Sequence, residues 1–179
     1  MEFLTAIKEQ IPDYAKDIRL NLDGAIARSS LAPADSLGVA LAAAFAAGSK
    51  PLVDAFKAAA PEAEANAALT AAALMGMNNV WYPFVEMSGD TELSTMRAEL
   101  RMNAYATHGG VDRQSFELYA LAASIVGKCE FCVRSHYKLL KETGLTTQQL
   151  RDVGRIAAVV NAAAQVMAAE ARSDEAVAA

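Results

Sequence analysis

The sequence has little cysteine, little proline, few aromatics and no long apolar run, and each shortage removes a class of protein. Its only two cysteines, Cys129 and Cys132, stand three apart, so a framework of disulfides stapling distant segments is excluded. No cluster of Lys and Arg exists to neutralise phosphates. With a net charge of −5 and a pI of about 5.1, the chain carries no nucleic-acid footprint. The longest apolar stretch, Leu37 to Ala47, is too short to span a bilayer, and Asn161 and Gln165 interrupt the other candidate, Ile156 to Ala169. The opening residues, Met1-Glu2-Phe3-Leu4, run into Lys8, Glu9 and Asp13 without the apolar core of a signal peptide. A cytoplasmic protein, with no membrane partner and with thiols reduced at rest, is expected.

What the chain does have is alanine. The hydrophobic share is 54%, with 5 prolines and 7% aromatics. Alanine has the highest helix propensity, so the composition predicts an all-α, single-domain helical bundle over residues 1–179. A chain of 179 residues buries roughly 70% of its unfolded surface and needs no disulfide to fold. The pattern predicts about seven helices. Leu4 to Gln10 is stopped by Pro12, and Tyr14 to Asn21 ends before Gly24. Pro33 and Asp35 open a third, small-residue helix that ends at Gly48, and Leu52 to Ala60 lies between Pro51 and Pro61. Glu62 to about Tyr82 has Gly76 inside it and Pro83 after it. A polar linker, Met87 to Thr91, leads to a short helix over Glu92 to Thr107 and a loop at His108-Gly109-Gly110. Asp112 caps a helix through Val126 that is apolar nearly all round. After Gly127-Lys128, a helix carries Cys129 to Thr143, and Gly144 ends it. Thr146 and Gln149 form a capping box for the last helix, to about Ala171, with a frayed tail from Arg172 to Ala179. A faint helix–Gly–helix repeat aligns Gly76 with Gly127 at an offset of 51, placing Asn78 under Cys129 and Trp81 under Cys132.

The chemistry concentrates in residues 111–171. On a helix Cys129, Cys132 and His136 share one narrow stripe. Cys132 and His136 are an i,i+4 pair, near enough for the imidazole to take the thiol proton directly or through one water. Cys129 lies in the first turn, where unpaired N–H groups and the helix dipole favour a thiolate. Zinc is the rival, since the two cysteines and His136 offer three ligands and Glu117 or His108 a fourth. Structural zinc sites usually pair a Cys-x-x-Cys with a distant second ligand pair, which this chain lacks, so the redox reading is preferred. A thioredoxin-like fold is disfavoured because no βαβ pattern flanks the motif. Glu117 has two readings: a solvated carboxylate near a helix start, or the group that orients His136 in a base relay. His108 reads as a turn residue, Trp81 and Tyr82 as core.

Glu117, eleven residues, Cys129-x-x-Cys132, three residues, His136: this spacing resembles the signature of the alkylhydroperoxidase D family, in the carboxymuconolactone decarboxylase-like superfamily. Asp13 to Leu22, Met75 to Val80 and Leu100 to Asn103 are also similar to stretches of those proteins. The resemblance implies an all-helical antioxidant enzyme, a homotrimer without a bound cofactor, that reduces organic hydroperoxides. Cys132 would pass through a sulfenic acid. Cys129 would donate a proton and then close a Cys129–Cys132 disulfide, and Glu117 and His136 would form the proton relay. Electrons would come from the dihydrolipoamide of a lipoyl-bearing protein, and the protein would in turn serve a partner peroxiredoxin. An adaptor with little peroxidase activity of its own needs the same dithiol. A decarboxylase does not require the Cys-x-x-Cys, which counts against that reading.

Overall fold

Small side chains let helices approach closely, and two helices with long buried runs pack together at the centre of the molecule. The computed structural model describes residues 2–108 and 110–178, with side chains to residue 171, and among them there are helices and no strand. Two short 3-10 turns, Glu2–Leu4 and Asp13–Ala15, precede α1 (Thr5–Glu9) and α2 (Lys16–Ala27). Next come α3 (Pro33–Ala46), α4 (Lys50–Ala59) and α5 (Glu62–Ser88), then the short α6 (Thr91–Thr95) and α7 (Ala104–Thr107). Finally α8 (Arg113–Val126), α9 (Glu130–Glu142) and α10 (Thr147–Ala178) complete the bundle. α3 and α8 pack on each other, and both pack on α5 and α10. Val39 to Ala44 of α3 and Phe116 to Ser124 of α8 are buried without interruption, as expected of a helix apolar on every side. Their approach needs Gly38, where a Cβ would stand 2.3 Å from a ring carbon of Tyr119.

Several boundaries differ from the sequence expectation. α2 runs through Gly24, because a glycine costs only about 1 kcal/mol in a helix and burial of Leu22, Ala25 and Ile26 outweighs it. α5 continues past Pro83, which removes one backbone bond without ending the helix, and stops at Gly89 in the left-handed conformation. The predicted helix over Glu92 to Thr107 is two short helices separated by residues 96–103, which are not helical. Met96 and Leu100 stay exposed there, so no buried apolar face supports a longer helix. α9 starts at Glu130, with Cys129 as its cap. α10 extends beyond Ala171 to Ala178, since no helix breaker follows; the tail side chains, like Gly109 of the predicted loop, lie outside the described residues. Trp81 and Tyr82 are half-buried, and they line a surface groove of about 760 Å³.

The repeat exists in a different register. α5 passes unbroken through Gly76, so nothing there matches the corner at Gly127. Instead α3 and α8 have 14 residues each and begin 80 positions apart, at Pro33 and Arg113. Ala40-Leu41-Ala42-Ala43 recurs as Ala120-Leu121-Ala122-Ala123. The corners repeat bond for bond. Ala47, Gly48 and Ser49 donate N–H to Ala43, Phe45 and Ala44, as Gly127, Lys128 and Cys129 donate to Ala123, Ile125 and Ser124.

One buried carboxylate ties the loop between α2 and α3 to α10. Asp152 is wholly buried and accepts from the Ser30 N–H (2.9 Å), the Ser30 hydroxyl (2.8 Å) and Arg155 (3.0 Å). Burial alone pushes its carboxyl up, but the two Ser30 bonds and the arginines outweigh this and hold it well below the usual range. A carboxyl depressed in the folded state contributes stability above its unfolded pKa of about 3.9 and loses it as the pH falls. Asp152→Ala is therefore expected to cost about 1–3 kcal/mol at pH 6. In denaturant titrations across pH, the gap to the wild type should shrink as the pH drops below about 4.

Candidate active site

Four elements converge on the two cysteines. The Asp112 side chain caps α8 by accepting from the Ser115 N–H at 2.8 Å, which starts the helix so that Glu117 points inward. Glu117 is only 5% exposed, so the solvated reading of this carboxylate does not hold. Both of its oxygens are used. Oε2 lies 2.6 Å from His136 Nδ1, and Oε1 accepts from the Tyr105 hydroxyl at 2.8 Å. Burial pushes the Glu117 carboxyl up. The His136 and Tyr105 hydrogen bonds, with the charges of His136 and Arg113, outweigh this and hold it below the usual carboxylate range.

The corner before α9 delivers Cys129. Lys128 adopts φ 57°, a left-handed conformation that costs a side-chain-bearing residue of order 1 kcal/mol or more. The preceding Gly127 is demanded by α5: a Cβ there would stand 2.1 Å from Nδ2 of Asn79, whose side chain donates to the Ala123 carbonyl at 3.1 Å. Cys129 is thus the N-cap of α9, not a member of its first turn, and its sulfur accepts from the Cys132 N–H at 3.2 Å. The two cysteines form a disulfide with Cα atoms 5.3 Å apart, and both are buried. Between them Glu130 pairs with Arg134, and Phe131 stands out at 52% exposure with its ring stacked on Tyr82, centroids 4.2 Å apart.

His136 follows Cys132 by one turn on α9. A nitrogen bonded at 2.6 Å to a carboxylate carries a proton, so Nδ1 donates and Nε2 is left for proton exchange. Nε2 lies 3.2 Å from the thioether sulfur of the buried Met75, on α5. Among the described residues, no three His, Cys, Asp or Glu side chains group to hold a metal ion. His108, the other candidate fourth ligand, stacks its ring on Phe116 at 4.5 Å. Two contacts of the site escape sequence reasoning. Met75 falls inside a stretch with family resemblance but carries no chemical signal, and Tyr105 sits on a four-residue helix with no periodicity to read.

This geometry accompanies a clear similarity to known proteins. Residues 91–175 match the carboxymuconolactone decarboxylase family model. The chain is 43% identical over 172 residues to the alkyl hydroperoxide reductase AhpD of Rhodospirillum centenum, covering 94% of this chain and 92% of the relative. The AhpD of Maricaulis maris is 44% identical over 171 residues, covering 93% of this chain and 98% of the relative. This chain belongs to the AhpD family. Glu117, Cys129, Cys132 and His136, which carry the resemblance in the sequence, are the residues that α8, the corner and α9 bring to one place in this AhpD-family fold.

The N-cap role of Cys129 has its own consequence. In the reduced protein, Cys129→Ser keeps an acceptor for the Cys132 N–H, whereas Cys129→Ala removes it. Thermal unfolding under reducing conditions should rank Ala at 129 about 0.5–2 kcal/mol below Ser.

Proposed function

We propose that the protein is an antioxidant thiol peroxidase that reduces organic hydroperoxides with the Cys129–Cys132 dithiol. The observation that carries this reading is the buried Glu117–His136 hydrogen bond, one helical turn from Cys132 in a pair able to close a disulfide. In the reduced enzyme Nε2 of His136 takes the Cys132 proton, and Glu117 supports the resulting imidazolium. The thiolate attacks the outer peroxide oxygen and the O–O bond breaks. The departing alkoxide takes the Cys129 proton and leaves as an alcohol, with Cys132 now a sulfenic acid. Cys129 sulfur then attacks Cys132 sulfur. The S–S bond forms, and the hydroxyl leaves as water with the proton held by His136. The dithiol has lost two electrons and the peroxide has gained them. A dihydrolipoyl group of a partner protein restores the dithiol by exchange, becoming a disulfide itself.

The same exchange serves the second reading, an adaptor that passes electrons to a peroxiredoxin with little peroxidase turnover of its own. Like its AhpD relatives by name, the chain is read as an alkyl hydroperoxide reductase, which favours the peroxidase. A homotrimer fits the apolar side chains left outside the bundle: Val80, Phe84 and Met87 of α5, with Met96 beyond it, are all at least 49% exposed. No helix of the described residues is long and apolar enough to cross a membrane, and a disulfide that must be re-reduced in each cycle suits the reducing cytoplasm.

Steady-state peroxide consumption with dihydrolipoamide, with and without a peroxiredoxin, tests the reading. Turnover without peroxiredoxin is expected, and turnover only in its presence would leave the adaptor. In Cys129→Ser, dimedone should trap a sulfenic acid at Cys132 after peroxide addition, and Cys132→Ser should give no adduct; trapping at Cys129 instead would reverse the roles. Glu117→Gln should lower the rate near neutrality by roughly 10²-fold or more, the scale of a lost acid–base partner.

A further inference from the structure

Tyr105 is not one of the four residues of the signature spacing, yet it occupies half of the buried carboxylate. Its hydroxyl donates to Glu117 Oε1 at 2.8 Å while His136 takes Oε2 at 2.6 Å. The ring is braced as well as bonded. It meets Phe116 edge-on, centroids 4.9 Å apart, and Phe116 in turn stacks on His108. α7, which carries Tyr105, packs on α5, so the hydroxyl is delivered from an element separate from α8 and α9.

The surroundings of Glu117 leave Tyr105 a distinct task. From α9 it faces His136, and Arg113 contributes charge from its own helix. The α5 side offers Met75, which is neutral and touches His136. The other acids of the core are engaged elsewhere: Asp35 meets Tyr119, and Asp152 meets Ser30. Tyr105 is therefore the neutral donor on a carboxylate that also shares a proton with an imidazole. Burial, then the bond to Glu117, pushes the Tyr105 hydroxyl above its ordinary range, so it stays protonated and acts as a donor throughout. A donor on a carboxylate stabilises its ionised form. If Oε1 loses that donor, Glu117 becomes more basic and the shared proton shifts from His136 towards it. A neutral Glu117–His136 pair lacks the imidazolium that stabilises a thiolate.

We propose that Tyr105 is the positioning residue of the relay, holding Glu117 by Oε1 so that Oε2 faces His136 and the shared proton stays on the imidazole. This rests on the peroxidase reading only in that Cys132 is the thiol served; the carboxylate itself is read independently of turnover.

The test is Tyr105→Phe in the full-length protein, which keeps the ring against Phe116 and removes the hydroxyl. In the oxidised protein, the infrared carbonyl band of protonated Glu117 should appear at higher pH than in the wild type. The band is assigned by its absence from the Glu117→Gln double variant. In the reduced protein, alkylation of Cys132 by iodoacetamide, followed in a Cys129→Ser background, should shift by about one pH unit to higher pH. Its rate below neutrality then falls about tenfold. Adding Tyr105→Phe to Glu117→Gln should give no further shift, because both act through one carboxylate. Should Tyr105→Phe fail to fold, 3-fluorotyrosine placed at position 105 keeps the ring and strengthens the donor. The infrared transition should then move to lower pH. A Tyr105→Phe alkylation profile that superimposes on the wild type, while Glu117→Gln is shifted, would overturn the inference and leave the relay standing. Superposition of both variants would overturn the relay and the inference together. Additive shifts in the double variant would also overturn it, since Tyr105 would then act by a route other than Glu117.

Discussion

A carboxylate and an imidazole bonded at 2.6 Å inside a helical core constrain everything around them. Burying Glu117 costs free energy unless every lone pair that loses water finds a donor, and a half-satisfied pair is worse than none. Two donors are present, His136 and Tyr105, and they arrive on different helices. α8 must therefore pack between α7 and α9 at a set depth. The Asp112 cap, the alanine-rich face towards α3 and the glycine at position 38 all serve that depth by fixing where α8 begins and how closely it approaches its neighbours. The polar site and the apolar core are thus one packing problem.

The duplication shows which parts of the site are architecture and which are chemistry. Both halves turn the same corner with the same backbone bonds, and both place a residue in the left-handed region, Gly48 in the first and Lys128 in the second. At an offset of 80, Leu37, Ser49, Leu52 and Phe56 stand where the second half has Glu117, Cys129, Cys132 and His136. Leu52 and Phe56 are wholly buried, so in the first half the same stripe is packing. A corner that suits a buried apolar stripe carries a disulfide and a carboxylate–imidazole pair when four side chains change. The conformation at position 128, unfavoured for lysine, comes with the corner itself.

Much of this was legible in the chain, for identifiable reasons. Cys129, Cys132 and His136 announce themselves because helical spacing puts rare residue types on one stripe, and the structure places Cys132 and His136 on α9 with Cys129 as its cap. The all-α class followed from alanine, and the Asp112 and Thr146–Gln149 caps are both formed. Glu117 was ambiguous because the angle between α8 and α9 depends on Gly127 meeting Asn79, a contact 48 positions apart that no local pattern encodes. Tyr105 was invisible for the same kind of reason: its helix has four residues, and its importance lies in one hydroxyl reaching another element. Pro83 misled because a proline removes one backbone hydrogen bond and need not end a helix that is already propagating from the half clamped against α3 and α8.

The contact between His136 and Met75 completes the logic of the proposed reaction. With Nδ1 bound to Glu117, Nε2 is the nitrogen that exchanges protons, and a strong acceptor or donor beside it would compete with the thiol. The neighbour is instead a thioether, which is only a weak acceptor and cannot donate. Met75 packs against the imidazole and offers it no strong competing hydrogen bond. In the disulfide state Nε2 rests against sulfur of little hydrogen-bonding strength. In the proposed reaction, Cys132, one turn away on the same helix, would become the better partner once the disulfide is opened. The redox state of the cysteines would then engage the relay, because the Met75 contact is too weak to hold the base.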